Sequence, residues 1–237
     1  MFQFENWSWL ETELQDLHEQ GAFFSKNQII ELKQQPTVAS FFSGAGGFDL
    51  GFTWAGYKVV YSNEIDKAAS ETYNTNFSHK IDNRSILDVD LKSIPEHDLL
   101  IGGFPCQPFS YAGKRKGLVD ERGMLFFALI ENLYINKPKF FIFENVKGLI
   151  NHNKGKTLKS VKSAIKDAGY RLTYSVLNAE NYLISQSRER LFLVGIRKDI
   201  SGDFIFPSFS LPKISVKESI DDLINISSIP NNEPMKH

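Results

Sequence analysis

The chain has 237 residues, 42% of them hydrophobic and 13% aromatic, enough to build one large core. A single cysteine excludes an internal disulfide framework and a zinc site built on cysteines, and it suits a reducing compartment. The net charge of -1 neither requires nor excludes a nucleic-acid partner; no apolar run reaches the ~18 residues of a membrane helix and no signal-peptide pattern opens the chain, so a soluble cytoplasmic protein with no membrane partner is expected.

Residues 1–36 read as a helical extension. Trp7, Leu10, Leu14 and Leu17 fall at helical spacing between acids, and Pro36 ends a second short helix. The extension is either a packed cap or a docking face for another chain. Residues 37–200 read as one α/β unit. Thr37 to Phe42 is a buried strand that runs into Ser43-Gly44-Ala45-Gly46-Gly47, with a helix opening near Phe48. Strand, glycine turn and helix form the first unit of a nucleotide-binding sheet. The glycines are too crowded for the dinucleotide fingerprint, so close backbone approach to a ligand is implied but a pyrophosphate is not. A second strand, Tyr57 to Ser62, leads to Glu64, which can take ribose hydroxyls or serve as a helix N-terminal charge with Asn63 as the cap.

A third strand-like position lies near Ile86 and Leu87, and a fourth strand is Asp98 to Ile101. The fourth enters Gly102-Gly103-Phe104-Pro105-Cys106-Gln107-Pro108-Phe109-Ser110, a rigid turn that mounts the lone thiol at a strand end. The loop to Gly123 carries Lys114-Arg115-Lys116, either a solvated run or a grip on phosphates. A helix spans Met124 to Ile135. The apolar strand Lys139 to Phe143 ends in Glu144-Asn145-Val146, placing a carboxylate where α/β sheets hold their chemistry. A helix from Thr157 to Ala168 and the strand Arg171 to Asn178 follow. Gln186-Ser187-Arg188-Glu189-Arg190 then feeds the strand Leu191 to Ile196, and these last two strands are expected to pair antiparallel at an edge. Residues 201–237 form a Ser-, Pro- and Asn-rich tail with one short helix, Val216 to Leu223.

In order and wording, Phe42 to Gly47, Gly103 to Ser110, Glu144-Asn145-Val146 and Gln186 to Arg190 resemble the motifs of the DNA cytosine-5 methyltransferase family. The resemblance spans Thr37 to Leu223. It implies an S-adenosylmethionine-dependent, Rossmann-like, doubly wound and mostly parallel sheet with an antiparallel edge. It implies S-adenosylmethionine as methyl donor, leaving S-adenosylhomocysteine as product, and a cytosine flipped out of double-stranded DNA as acceptor. Cys106 would be the nucleophile, Glu144 the acid at ring nitrogen 3, and Arg190 with Arg188 the holders of the exocyclic oxygen. Phe42, Ser43, Gly44, Gly46, Gly47, Glu64, Ile65, Ser85 and Pro105 would contact the donor. Ser85 stands where the family carries an aspartate, with Asp82 and Asp88 beside it. Gln107, Ser110, Lys114, Arg115 and Asn145 would face the DNA or the base. No metal is expected.

Family members continue into a target-recognition domain and two further motifs. The tail ends where that domain is expected to begin, which suggests the catalytic subunit of a split, restriction-modification-type enzyme completed by a second polypeptide. The rival readings are a non-catalytic subunit with the same fold and an RNA cytosine-5 methyltransferase.

Overall fold

A computed structural model describes residues 35–105, 121–207 and 211–221. The predicted N-terminal helices, Cys106 with the loop that follows it, and the end of the tail lie outside the described residues.

Six strands form one sheet. In chain order they are β1 (Thr37–Phe41), β2 (Lys58–Asn63), β3 (Leu99–Gly102), β4 (Phe140–Val146), β5 (Tyr170–Asn178) and β6 (Glu189–Arg197), and across the sheet they run β2-β1-β3-β4-β6-β5. The pairs from β2 to β4 are parallel, while β6 is antiparallel to both β4 and β5. This is the expected Rossmann-like, mostly parallel sheet. The antiparallel pair is present, but β6 lies inside it and only β5 is the edge. The composition of β6 explains this: Leu191, Leu193 and Val194 are buried, as a strand covered on both sides requires.

Strand alternation divides the core between two faces. Ala39, Phe41, Leu100, Phe141, Phe143, Leu191 and Leu193 face one side, where they pack with Leu129 and Leu133 of α3 (Glu121–Asn136) and with Leu158, Val161 and Ile165 of α4 (Lys156–Asp167). Val38, Leu99 and Ile101 face the other side, against Phe48 and Phe52 of α1 (Gly47–Trp54). Gly195 of β6 is required by this packing, since a Cβ there would stand 1.9 Å from the Phe141 ring. Among the described residues no helix is long and apolar enough to cross a membrane.

Two local expectations are corrected. The strand-like position at Ile86 and Leu87 is a 3-10 turn, Ile86–Asp88. The Ser85 hydroxyl accepts from the Leu87 amide at 3.3 Å, so the short polar side chain closes a turn before a strand can start. Ile86 is buried as a single apolar plug while Leu87 is exposed, and the only ladder contact nearby is an isolated bridge between Asn63 and Asp82. The helix after β2, α2 (Lys67–Asn76), is capped by Asp66, whose Oδ1 accepts from the Ala69 amide at 2.8 Å. Asn63 is instead buried at the end of β2, donating to the carbonyls of Asp82 and Arg84 at 3.0 and 2.9 Å. The short helix of the tail, α5 (Val216–Ile220), starts at a capping box between Ser215 and Glu218.

Candidate active site

The chain turns from β1 to β2 on one side and later supplies β3 on the other. The crevice at the carboxyl end of β1 is therefore a topological switch point. The glycine turn occupies it. Phe42 takes φ 55, Gly44 φ 55 and Gly46 φ 97, all left-handed. Glycine adopts such angles freely, whereas a phenylalanine there is held against a local cost of ~1–3 kcal/mol. Hydrogen bonds supply the constraint. Ser43 donates its amide to Asn63 O at 3.1 Å, Gly46 donates to Ser43 O at 2.9 Å, and the hydroxyls of Ser40 and Ser43 lie 2.8 Å apart. Glu64 ties the turn to the next helix. Its Oε2 accepts from the Gly44 amide and its Oε1 from the Asp66 amide, each at 2.9 Å. A carboxylate has about four acceptor positions, so Glu64 keeps capacity for further donors.

The cavity at this crevice has a volume of about 610 Å³. Its walls come from β1 and the turn (Ser40, Phe42, Ser43), from α1 (Gly47, Phe48), from Gly103 after β3, from Glu144 of β4, and from Arg188, Arg190 and Phe192 of the β6 region. Adding a Cβ at Gly47 would meet nothing within 4 Å, so a ligand can approach the backbone there.

Glu144 lies inside β4, opposite Phe192 of β6, with Arg190 opposite Val146. Period two puts Arg190 and Phe192 on one face of β6. Arg190 Nε donates to Glu144 Oε1 at 2.8 Å, and Arg188 Nη2 lies 4.0 Å from the same oxygen. Both members of the closer pair are about three-quarters covered, at 25% and 22% exposure, so water screens them only partly. Glu144 Oε2 points toward the glycine turn before Cys106, 3.4 Å from where a Gly103 Cβ would be. Phe48 stacks on Phe192 with centroids 6.1 Å apart, forming an apolar wall beside the charged pair.

The sequence-predicted residues divide into four groups. Phe42, Ser43, Gly47, Glu144, Arg188 and Arg190 meet on the walls of this cavity. Gly44, Gly46 and Glu64 shape the turn without being among its walls. Ile65 is 62% exposed, Ser85 caps its 3-10 turn, Pro105 is half-buried, and Asn145 is buried, donating to Phe104 O at 2.9 Å. None of these four is among the lining residues, and Asn145 acts on the cavity through the backbone leading to Cys106. Cys106, Gln107, Ser110, Lys114 and Arg115 lie outside the described residues.

Sequence reasoning missed Phe48, Leu177, Ala179, Tyr182 and Phe192 as wall residues. The available signal for Phe192 was its position two residues after Arg190. It also missed Asp49, fully buried in the first turn of α1. Ser62 Oγ donates to Asp49 Oδ2 at 3.1 Å, and Ser62, Tyr73 Oη and His79 Nε2 lie within 2.7–2.9 Å of one another. Burial pushes the Asp49 carboxyl up and the His79 imidazole down, each toward its neutral form.

Residues 37–236 match the C-5 cytosine-specific DNA methylase family. The chain belongs to that family. It is 46% identical over 167 residues to the orphan methyltransferase M.SPRI of Bacillus phage SPR, covering 69% of this chain and 38% of the relative. It is 42% identical over 184 residues to the type II methyltransferase M.HhaI of Haemophilus parahaemolyticus, covering 76% and 56%. Against Schizosaccharomyces pombe Dnmt2 the TM-score is 0.61 at 23% identity, covering 84% of this chain and 57% of that one, which is likeness of fold alone. The chain spans about half the length of the curated relatives it matches.

Proposed function

We propose that this family member is the catalytic part of a DNA cytosine-5 methyltransferase. The observation that carries the reading is the Glu144–Arg190 pair, which lines the same cavity as the turn residues Phe42 and Ser43 and lies next to Gly103. The residues suit S-adenosylmethionine as methyl donor. Phe42, Ser43 and Gly47 offer backbone and an aromatic face, and Glu64 has acceptor capacity for ribose hydroxyls. When bound, that group supplies an electrophilic methyl carbon.

The chain's own residues would do the rest. Carbon 5 of cytosine is a weak nucleophile because its electrons belong to an aromatic ring. The Cys106 thiolate adds to carbon 6, forming a carbon–sulfur bond and sending the ring electron pair toward nitrogen 3 and the exocyclic oxygen. Glu144, oriented by Arg190, holds the proton at nitrogen 3 as that charge grows. The Arg190 guanidinium holds the exocyclic oxygen, with Arg188 behind it. Carbon 5 is then enamine-like. After methylation carbon 5 gives up its proton to water, the carbon 5–carbon 6 double bond re-forms as the carbon–sulfur bond breaks, Cys106 leaves as thiolate, and the nitrogen 3 proton returns to Glu144. A stacked base cannot enter such a cavity, so the cytosine is flipped out of the duplex. By the family resemblance, Gln107 and Ser110 attend the vacated site or its phosphates, while Lys114 and Arg115 belong to the basic run of the following loop, whose charge suits a grip on phosphates.

The test is transfer of labelled methyl from S-adenosylmethionine. The chain is assayed alone and with co-expressed neighbouring polypeptides, on duplex DNA and on structured RNA. Methylation of DNA cytosine that is lost in Cys106→Ser supports the reading. Exclusive methylation of RNA, or unchanged activity in Cys106→Ser, contradicts it. Full sequence-specific activity of the chain alone removes the need for a second subunit.

A further inference from the structure

The stretch from Lys147 to Lys166 contains six lysines and no acidic residue, in a chain whose net charge is -1. All six lysines are exposed. On α4, Lys156, Lys159, Lys162 and Lys166 fall within an arc of about 120° at ~100° per residue. The buried Leu158, Val161 and Ile165 form the opposite face. Among the described residues only Lys147 of the six is paired with an acid, Glu189 at 2.8 Å. Lys162 sits over the Tyr174 ring at 4.9 Å, which fixes its stem and leaves its charge at the surface.

The position of this stripe distinguishes it from an ordinary solvated face. It starts at Lys147, directly after β4 and three residues beyond Glu144, the cavity acid of that strand, and then runs down α4. Between the two lies a strained corner. Asn153 and Lys154 both adopt left-handed backbone, at φ 50 and φ 56, before Gly155 at φ 79. Asparagine tolerates that region, but lysine pays ~1–2 kcal/mol for it. The corner is pinned by a 2.6 Å hydrogen bond between His152 Nδ1 and Thr157 Oγ1. Such strain clusters where a side chain must be presented in a set direction. The corner joins β4, whose Glu144 lines the cavity, to the lysine face of α4.

We infer that the surface formed by Lys154, Lys156, Lys159 and Lys162 binds the phosphate backbone of the duplex flanking the target cytosine. Lys156 to Lys162 covers about 9 Å at 1.5 Å per residue, while duplex DNA presents one charge per ~1.7 Å of axis, so several phosphates fall within reach. The contact carries no base information. It adds affinity and orientation to whatever reads the sequence. This inference rests on the proposed action on DNA.

The test uses the full chain carrying Lys154→Gln, Lys156→Gln and Lys159→Gln together, with fluorescent duplex DNA titrated at several salt concentrations. Each lost phosphate contact lowers the log–log salt slope by ~0.9 and weakens binding up to ~8-fold at 0.1 M salt. The triple variant is expected to lose about two to three units of slope and bind tens- to hundreds-fold more weakly. S-adenosylmethionine affinity and thermal midpoint should be unchanged. A control triple at exposed lysines elsewhere, Lys67→Gln, Lys80→Gln and Lys92→Gln, should keep the parental slope. Equal effects of the two triples, or an unchanged slope in the first, overturn the assignment and leave the stripe to an acidic protein partner. Absence of DNA binding by the unsubstituted chain, both alone and with its co-expressed neighbouring polypeptides, defeats the functional reading itself, and this surface with it.

Discussion

Gly46→Ala is the sharpest single perturbation of the donor turn. Gly46 caps α1 at φ 97, which costs an L-residue ~1–2 kcal/mol before any contact is counted. The new methyl group would stand 2.3 and 2.7 Å from two Phe77 ring carbons and 3.0 Å from Tyr73. Phe77 cannot retreat toward Tyr73, because the two rings are stacked at 4.2 Å and Tyr73 is fully buried. Overpacking of this kind costs a further ~1–3 kcal/mol. The expected loss is therefore about 2–5 kcal/mol, read from urea denaturation of the full chain. A double-mutant cycle with Phe77→Ala separates the two causes. It should recover the collision, a coupling of about 1–3 kcal/mol, and leave the backbone cost in place. Because Gly46 donates to Ser43 O, and Ser43 lines the cavity, donor KM should rise with the instability. A loss below ~1 kcal/mol, or a cycle with no coupling, would refute the claim that this turn has no room for a side chain.

Other outcomes follow from the same geometry. Arg190→Ala should lower kcat by about 10²–10³-fold while the fold persists, because it removes a donor from the developing charge and frees Glu144; steady-state kinetics beside circular dichroism checks this. Arg188→Ala, 4.0 Å from Glu144 and half exposed, should cost clearly less in the same assay. Burial lowers the pKa of His97, so its folded value lies below the unfolded ~6.5. Its contribution to stability is complete above pH ~6.5 and is lost as pH falls through the folded value. Denaturation midpoints from pH 7.5 to 5 should decline, with a shallower decline in His97→Gln. Asp49 has the opposite sign. Its carboxyl is raised by burial, so its contribution fades as pH climbs from ~3.9 through the folded value, and Asp49→Asn should flatten that part of the profile.

Strands were legible where apolar residues ran together, as in Leu99-Leu100-Ile101 and Phe140 to Phe143. Leu99 to Ile101 are buried on both faces, and in β4 Phe141 and Phe143 are buried on one face while Ile142 is half-buried on the other. The glycine turn was legible because Gly44 and Gly46 need left-handed angles. Ile86 misled because two adjacent apolar residues, only the first of them buried, resemble a short strand, while the Ser85 hydroxyl that closes the turn is a local contact invisible to periodicity. Asp49 was hidden for a related reason. An acid between Phe48 and Leu50 looks like surface, and only the tertiary meeting of Ser62, Tyr73 and His79 explains its burial. The insertion of β6 beside β4 sets Phe192 opposite Glu144, a pairing that no spacing along the chain reveals. The left-handed corner at Asn153 and Lys154 was equally out of reach, since neither residue demands it.

The most direct measurement uses a duplex whose target cytosine carries fluorine at carbon 5. Fluorine cannot leave as the ring proton does, so once the methyl group has transferred the thiolate is not expelled and the adduct persists. The chain, with any partner polypeptide it needs, is incubated with this duplex and S-adenosylmethionine and examined by denaturing mass spectrometry. The expected product is protein covalently joined to methylated DNA through Cys106, dependent on the donor and absent in Cys106→Ser. No adduct from a preparation that methylates ordinary duplex, or an adduct that survives Cys106→Ser, would contradict covalent catalysis by this cysteine.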